Sequence, residues 1–395
     1  MKKRLLFVID SLHCAGAEKS LVTLMGLLDY SRYDVDLILF GHGGELEQLV
    51  PEEVNILPPL KYTQFANTNL IEVIVKTLKE SNYQMLCARL KYSAKIHSKK
   101  YRNSQKARLY WESVSKVIER NPKSYDVAIS YAQGVPTFYV ADKVNATKKF
   151  GWVNVSYRLD GKEKKFQNKF YDQLNEIVAV SESTKEILLK SFPEYKDRIK
   201  VIYDISNPQF ISDMSQIGNY EDLFDGIRIV TIGRLANQKG YDIALEACKM
   251  LKEANINFRW YALGKGPLEH EIKEYIKQND LTEHFILLGV KANPYPFIKN
   301  ADIYVQTSKF EGFGIAIAEA RMLNVPIVTT RFDAVYSQMV DEKNGLVVDM
   351  DSEAVTKGIL RLINDQDLKK EIVHYLQSEK KGNVEEIEKF YQLIG

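Results

Sequence analysis

The sequence has few of the features that mark secreted, membrane-spanning or nucleic-acid-binding proteins. Its 395 residues include only three cysteines, Cys14, Cys87 and Cys248, which are far apart and lack metal-ligand spacing. An odd, scattered set predicts reduced thiols in the cytosol and not a disulfide framework. No apolar run approaches the length of a membrane span. The formal net charge of +2 gives no overall electrostatic attraction to nucleic acid, so we expect no nucleic-acid partner.

The amino-terminal stretch imitates a signal peptide but is too short to be one. Residues 2–4 are basic, and the apolar run at residues 5–9 ends at Asp10. A secretory signal needs a longer apolar region, so this run predicts a first buried strand instead. We therefore expect a cytoplasmic protein.

The composition is that of a soluble globular protein, with 45% hydrophobic and 27% charged residues. The length favours two domains of just under 200 residues each. Apolar, strand-like runs alternate with helical patterns in both halves, and a polar hinge occupies residues 204–225. Strands are expected at residues 201–203, 227–232, 258–263, 285–289 and 346–348, among others, and a helix is expected at residues 241–253. This alternation predicts an α/β protein with two doubly wound, Rossmann-like domains, each binding ligands beyond the carboxyl ends of its strands.

The most informative stretch is residues 311–319, which begins and ends with a glutamate. A β-favouring run precedes Glu311, and a helical pattern follows Gly314. Glycines in a strand-to-helix turn let backbone N–H groups approach a ligand, and a helix N-terminus suits a phosphate. The carboxylates of Glu311 and Glu319 suit the hydroxyl groups of a sugar or ribose. Two glutamates at this spacing in another sequence would be interpreted as a turn residue and a solvated helix residue. Here the preceding strand, the glycines and the following helix favour a ligand-binding site.

This stretch resembles the E-x7-E signature of retaining glycosyltransferases of the GT-B architecture, specifically glycosyltransferase family 4, or group 1. The resemblance implies two Rossmann-like domains with a central cleft. It also implies that Glu311 lies near the donor sugar, that the glycine-loop backbone holds a diphosphate, and that Glu319 binds the nucleotide ribose.

Residues 233–240 resemble the G-R-L-x4-K-G segment of the same family. Arg234 and Lys239 would supply two cations opposite the diphosphate. With Glu311 they are the predicted catalytic residues. The predicted donor-binding residues are Gly16, Gly233, Arg234, Lys239, Gly264, Val290, Glu311, Gly312, Phe313, Gly314, Ile315 and Glu319.

The first half matches the family less closely. The loop before Gly16 has Ala15 where the family has a glycine, and Asn154 stands where a histidine is frequent. His13 and Asn154 are the acceptor-side candidates. The resemblance implies an acceptor-binding domain at residues 1–208, to which a helix at about 383–395 returns, and a donor-binding domain at residues 209–382.

Residues 89–123 carry eleven lysines and arginines against two glutamates, a net charge of +9 within a chain of +2. Aromatic and apolar residues are interleaved with these cations. A solvated helical face explains the pattern, and so does a surface that docks on anionic lipid or binds a phosphate-bearing acceptor. RNA binding is a weaker alternative because no RNA-binding motif accompanies the charge.

The resemblance implies a retaining, metal-independent transfer from a nucleotide diphosphate-sugar, with a UDP-sugar as the expected donor and no cofactor. The acceptor would be a sugar or a lipid-linked sugar of cell-surface polysaccharide or glycolipid synthesis. Asp34 and Asp36 form a D-x-D pair, but they open an apolar strand, so we expect a structural role and no metal. The alternatives are a nucleotide-sugar epimerase and a catalytically silent subunit. A glycoside hydrolase also uses two carboxylates. We do not favour this alternative, because a hydrolase does not need the cations Arg234 and Lys239.

Overall fold

The computed structural model describes residues 2–13, 16–69, 72, 77, 82–97, 101–154, 159, 161–311 and 314–395. The chain divides into two compact units. The first contains Met1–Ile205 and Val384–Gly395, and the second contains Ser206–Asn383. Each unit is a parallel sheet with helices packed on both faces. The predicted doubly wound α/β architecture is confirmed in both units.

The first unit is built on a seven-stranded parallel sheet in the order β3-β2-β1-β4-β5-β6-β7. Leu5, Phe7 and Ile9 of β1 pack into one core, and Leu6 and Val8 pack into the core on the opposite face. A strand covered on both faces must be apolar throughout, which explains the continuous run in the sequence. The strands are β1 Lys3–Ile9, β2 Tyr33–Leu39, β3 Val54–Ile56, β4 Ser124–Ser130, β5 Asn145–Val153, β6 Glu176–Ala179 and β7 Ile199–Val201.

The second unit has a six-stranded parallel sheet in the order β10-β9-β8-β11-β12-β13. Its strands are β8 Ile227–Ile232, β9 Phe258–Leu263, β10 Phe285–Gly289, β11 Ile303–Gln306, β12 Ile327–Thr330 and β13 Leu346–Val348. In both sheets the strand order reverses beside the first strand of the unit. A reversal of this kind opens a crevice at the carboxyl edge of the sheet, where doubly wound folds bind ligands.

Helices of the first unit are α1 Gly16–Gly26, α2 Lys61–Asn67, α3 Tyr83–His97, α4 Asn103–Val114, α5 Val135–Lys143, α6 Gly161–Tyr171 and α7 Glu182–Ser191. Those of the second are α8 Pro208–Met214, α9 Tyr241–Glu253, α10 Glu269–Gln278, α11 Tyr295–Lys299, α12 Ile315–Met322, α13 Ser352–Asn364 and α14 Gln366–Ser378. The last helix is α15 Glu386–Ile394, and short 3-10 turns cover Glu47–Leu49, Pro193–Arg198, Asn237–Lys239 and Val335–Ser337. Within the described residues, no helix is both long and apolar enough to cross a bilayer.

Helix α15 packs on the first unit, although it lies at the far end of the chain. Phe390 is fully buried, and its ring lies 6.1 Å from the ring of Phe7 and 6.1 Å from that of Trp152, measured between centroids. Glu386 accepts a hydrogen bond from the Tyr203 N–H at 3.1 Å. The first unit therefore needs both ends of the chain to complete its core.

One sequence-based expectation beside the hinge was wrong, and one helix was not predicted. The last strand of the first half was expected at residues 201–203, but β7 ends at Val201. The predicted polar hinge was assigned no helix, but the structure has α8 within it. Asn207 caps this helix by accepting hydrogen bonds from the N–H groups of Gln209 and Phe210, and Pro208 occupies its first position. Asparagine followed by proline favours a helix start, so local capping decided the structure here.

We predict that Phe390→Ala lowers the free energy of unfolding of the first unit by about 3–5 kcal/mol, because it leaves a cavity against Phe7 and Trp152. Urea unfolding followed by tryptophan fluorescence measures this change. Glu388→Ala, on the exposed face of the same helix, should change stability by less than about 0.5 kcal/mol. Equal effects of both variants would mean that α15 contributes only helix propensity.

Candidate active site

The candidate site lies at the carboxyl edge of the second sheet. Strand β8 has β9 on one side and β11 on the other, so the order reverses between β8 and β11. The loop after β8 contains Arg234 and Lys239, and the loop after β11 contains Glu311. Parallel pairing of these neighbouring strands therefore brings two distant sequence motifs to the same crevice.

Backbone contacts hold the two loops together. The Lys309 N–H donates to the Gln238 carbonyl at 2.8 Å, and Thr307 Oγ1 donates to the Lys239 carbonyl at 2.9 Å. Gly240 has φ of 63°, and a Cβ atom there would lie 2.0 Å from the Thr307 carbonyl oxygen. A glycine is required at this position for both reasons, so the glycine of the sequence motif has a structural cause.

Lys239 and Glu311 form an ion pair in this crevice. The Lys239 ammonium donates to Glu311 Oε1, and the two side chains are only 19% and 10% exposed. Ser308 Oγ donates to the same oxygen at 2.7 Å, and Gln306 Nε2 donates to it at 3.3 Å. Oε2 of Glu311 has no hydrogen-bond partner among the described residues. The carboxylate is thus fixed through one oxygen, and the other is available to a ligand.

A series of buried polar side chains connects this carboxylate to β11 through hydrogen bonds. The Tyr304 hydroxyl donates to Gln306 Oε1 at 2.5 Å, and Gln306 Nε2 also contacts Ser308 Oγ at 2.5 Å. Residues two apart on a strand face the same side, so Tyr304 and Gln306 share one side of β11. Ser308, just after the strand, extends this polar column through its contact with Gln306. Burial, together with the carboxylates of Glu319 and Glu311, raises the pKa of Tyr304 well above its ordinary value. The hydroxyl therefore remains a hydrogen-bond donor at any physiological pH.

Glu319 lies on α12 and is only 3% exposed. The Tyr295 hydroxyl, at the start of α11, donates to Glu319 Oε1 at 3.1 Å. Gly314 precedes α12 with φ of 81°, and no described side chain caps the helix. Ile315 is the first residue of α12, so its backbone N–H belongs to the uncapped first turn. Gly312 and Phe313 lie outside the described residues.

The remaining donor-side candidates surround the same edge. Arg234 is exposed, and its side chain forms no hydrogen bond or ion pair with the described residues. Gly264 follows β9, and a Cβ atom there would lie 2.0 Å from the Gly233 carbonyl oxygen. Val290 follows β10 and is half-buried. Arg234, Gly264 and Val290 follow the neighbouring strands β8, β9 and β10. The second unit therefore contains every described donor-side candidate except Gly16.

His13, Gly16 and Asn154 belong to the first unit. His13 Nδ1 lies 3.0 Å from Glu45 Oε2, and Gly16 begins α1. Asn154 Nδ2 donates to the Tyr131 carbonyl at 2.6 Å, which fixes the amide, and Oδ1 has no hydrogen-bond partner in the part of the chain that the structure describes. Cys14 and Ala15, which the sequence analysis discussed, are outside the described residues.

Much of the basic charge at residues 89–123 is engaged within the first unit. Arg108 is buried between Glu112 and Glu163, at 2.8 and 3.0 Å. Arg89 donates to the carbonyls of Phe65 and Thr68. The exposed cations among the described residues are Lys91, Arg102, Lys106, Lys116, Arg120 and Lys123, whereas Lys99 and Lys100 lie outside the described ranges.

The D-x-D pair lies within β2. Asp36 accepts hydrogen bonds from Lys123, Tyr125 and Asn55, at 2.8, 2.7 and 2.6 Å. Asp34 is 3.6 Å from the Lys2 ammonium. Asp36 therefore joins β2 to β3 through Asn55, and to the start of β4 through Lys123 and Tyr125, which is a structural role.

Sequence reasoning did not find Tyr295, Tyr304, Gln306 and Ser308. The one signal for three of them was the polar alternation at 304, 306 and 308, in and just after the buried strand β11, where such residues need partners.

The second unit is similar to a known protein family. Residues 223–378 match the family described as glycosyl transferases group 1. An uncharacterized glycosyltransferase, MJ1059, of Methanocaldococcus jannaschii is 30% identical over 165 residues, which is 41% of each chain. The capsular polysaccharide biosynthesis glycosyltransferase CapM of Staphylococcus aureus is 26% identical over 211 residues, covering 50% of this chain and 55% of that one. The chain thus spans about half, or less, of the length of these relatives.

The fold of the whole chain has solved counterparts. Anabaena Alr3699/HepE, solved in complex with UDP and glucose, aligns with a TM-score of 0.67 and 16% identity over 99% of both chains. The protein therefore has the GT-B fold, and its second unit matches the group 1 glycosyltransferase family.

We predict that Lys239 and Glu311 are energetically coupled by about 1–3 kcal/mol, because removing either partner leaves a poorly solvated charge. A double-mutant cycle with Lys239→Met and Glu311→Gln, measured by urea unfolding, gives this coupling. The exposed pair Lys309–Asp242, at 2.7 Å, is the control and should give less than about 0.5 kcal/mol. Equal coupling in the two cycles would contradict a special role for the buried pair.

Proposed function

We propose that the protein is a retaining glycosyltransferase that moves a sugar from a nucleotide diphosphate-sugar to an acceptor hydroxyl. The observation that carries the proposal is the Lys239–Glu311 pair at the strand-order reversal of the second sheet, beside the uncapped start of α12. Cations, an uncapped helix and a carboxylate with one available oxygen suit a diphosphate joined to a sugar. The UDP and glucose bound by Alr3699/HepE support a UDP-sugar as donor, and the name of CapM supports polysaccharide synthesis.

The chemistry requires stabilisation of the leaving diphosphate. The bond between the sugar C1 and the phosphate oxygen breaks, and negative charge builds on the diphosphate. Arg234, Lys239 and the N–H groups at the start of α12 would stabilise that charge. We propose that these groups replace a divalent metal, so that transfer is metal-independent.

Retention follows if the acceptor attacks the same face that the diphosphate leaves. The acceptor oxygen then bonds to C1, and the acceptor proton passes to the departing phosphate oxygen. Glu311 would hold hydroxyl groups of the donor sugar through Oε2, while Ser308, Gln306 and Lys239 fix Oε1. Glu319 would bind the ribose, with Tyr295 fixing its carboxylate.

We predict that Glu319→Ala weakens UDP binding about 10- to 100-fold, because a charged acceptor of hydroxyl hydrogen bonds contributes roughly 1.5–3 kcal/mol. Isothermal titration of UDP into the native and variant proteins measures the change, and circular dichroism checks the fold. Glu371→Ala, at an exposed position of the same unit, is the matched control. Unchanged UDP affinity in Glu319→Ala would refute the ribose assignment.

We also propose that the protein acts in the cytoplasm and docks on anionic membrane through α3. Tyr83 and Leu90 are 52% and 49% exposed, and Cys87 is exposed between them. These positions are four and three residues apart, so they share one face of the helix. Lys91 is exposed beside Leu90. An exposed apolar stripe beside cations is typical of a helix that lies in the surface of an anionic membrane.

We expect Leu90→Glu to reduce co-sedimentation with anionic vesicles, since it removes apolar contact and adds repulsion. The assay uses vesicles of neutral and of anionic lipid at low and physiological salt. Leu223→Glu replaces a fully exposed leucine of the second unit and should have no effect. Binding that ignores lipid charge, or that both variants reduce equally, would mean that α3 is a solvated face.

A further inference from the structure

Helix α12 of the second unit is held from two opposite sides. Glu319 is buried, and the Tyr295 hydroxyl donates to it at 3.1 Å. Arg321 follows two residues later, which is about 200° further around the helix, so its side chain leaves on the opposite side. There it pairs with Glu379, which lies directly after α14. A rotation of α12 about its axis therefore disturbs both contacts.

The Arg321–Glu379 pair joins two planar groups through two hydrogen bonds. Arg321 Nε donates to Glu379 Oε1 at 3.1 Å, and Nη2 donates to Oε2 at 2.8 Å. The two side chains are only 19% and 11% exposed. A contact of this kind fixes orientation as well as distance, and salt screens a partly buried pair weakly. The pair therefore constrains the direction in which α12 presents its side chains.

A second contact holds the carboxyl end of α12 to the same stretch of chain. The Lys381 ammonium donates to Asn324 Oδ1, and Asn324 lies two residues beyond the end of the helix. Residues 379–383 thus contact α12 through a carboxylate and through an ammonium. This stretch leads directly to Val384, where the chain returns to the first unit.

The stretch 379–383 is itself fixed to the residues that begin the second unit. The Ser206 N–H donates to Asn383 Oδ1 at 2.8 Å, and the Asn383 N–H donates to the Ser206 carbonyl at 3.2 Å. Gly382 has φ of 69°, and a Cβ atom there would lie 2.5 Å from Cδ of Pro208. The close approach of the two stretches therefore requires a glycine at this position.

Helix α8, which begins at Pro208, packs against the other support of α12. The ring of Phe210 meets the ring of Tyr295 edge to face, with centroids 6.4 Å apart. Asn293 Nδ2, two residues before Tyr295, donates to carbonyls at and after the end of α8, at 2.8 and 3.1 Å. The partners of α12 on its two sides, Tyr295 and Glu379, are thus both held by residues beside the two points where the chain passes between the units.

We propose that Arg321 and Glu379 are positioning residues for Glu319. Their ion pair sets the rotation of α12, and this rotation decides where the Glu319 carboxylate points. Neither residue touches the nucleotide, because both act through the helix. The inference rests on the proposed ribose contact of Glu319, and it adds a pair that lies outside the sequence motif of residues 311–319.

The test is isothermal titration of the full-length protein with UDP. Glu379→Gln removes the charge and keeps the size of the side chain, and we expect it to weaken UDP binding about 3- to 10-fold. Arg321→Glu combined with Glu379→Arg exchanges the two charges and should restore the affinity to within about two-fold of the native value. Arg361→Gln breaks an exposed arginine–glutamate pair of the same unit, and it should change UDP affinity less than about two-fold.

The Glu319→Ala background separates positioning from folding. In that background Glu379→Gln should change UDP affinity less than about two-fold, since the side chain that the pair positions is absent. Urea unfolding of the same samples measures stability separately. A purely structural pair predicts lower stability with unchanged UDP affinity, or equal weakening in both backgrounds, and either result overturns the proposal.

Arg321→Lys provides a milder variant in case Glu379→Gln does not fold. It keeps the positive charge and loses the two-pronged contact, so the same pattern of weakening is expected in the two backgrounds. The titrations also separate this inference from the proposed function. Weakening by Glu319→Ala without weakening by the variants of the pair refutes this inference alone, whereas UDP affinity that Glu319→Ala leaves unchanged refutes the ribose assignment on which it rests.

Discussion

The parallel pairing of β8 with β11 is the constraint on which the candidate site depends. Strands that run the same way end at the same edge, and a reversal of strand order beside β8 leaves that edge open. The loops that follow then place Lys239 against Glu311, although 72 residues separate them in the chain. Gly240 allows the loops to approach so closely. The topology of the sheet alone therefore brings Lys239 and Glu311 together.

The cost of keeping Glu311 charged explains the polar residues around it. A carboxylate that is 10% exposed is poorly solvated, and it must be compensated by hydrogen bonds and a cation. Ser308, Gln306 and Lys239 all reach one oxygen, and Tyr304 orients Gln306 from below. This leaves Oε2 for a ligand. The first unit shows the complementary case in a cavity at the carboxyl edge of its sheet. Gln167 Nε2 and Asn154 Oδ1 lie at the wall of this cavity and have no hydrogen-bond partner among the described residues. Each unit thus contains polar groups that the fold alone does not satisfy.

Local patterns in the sequence predicted the frame of the second unit closely. The expected strands at 227–232, 258–263, 285–289 and 346–348 are β8, β9, β10 and β13 as observed, because buried parallel strands are continuous apolar runs. The helix at Tyr241–Glu253 was also predicted. Tyr295 was missed because its partner, Glu319, lies 24 residues further along the chain. The polar column at positions 304, 306 and 308 was missed although its contacts are local, because this run was interpreted only as a buried strand. The cavity at the carboxyl edge of the first sheet is lined by residues as far apart in the chain as Asp10 and Gln167. Local sequence patterns do not predict which distant residues pack together in this way. Helix α8 was missed despite a local signal, Asn207 followed by Pro208.

The central claim is that the second unit binds a nucleotide diphosphate-sugar and expels its diphosphate without a metal. The most direct measurement is release of nucleoside diphosphate from a panel of UDP-sugars in excess chelator, for the native protein and for Glu311→Gln. We predict release by the native protein in chelator and a loss on the order of 100-fold in the variant, as expected for a group that contacts the reacting sugar. Release that requires added magnesium or manganese, or that is equal in the two proteins, would contradict the account.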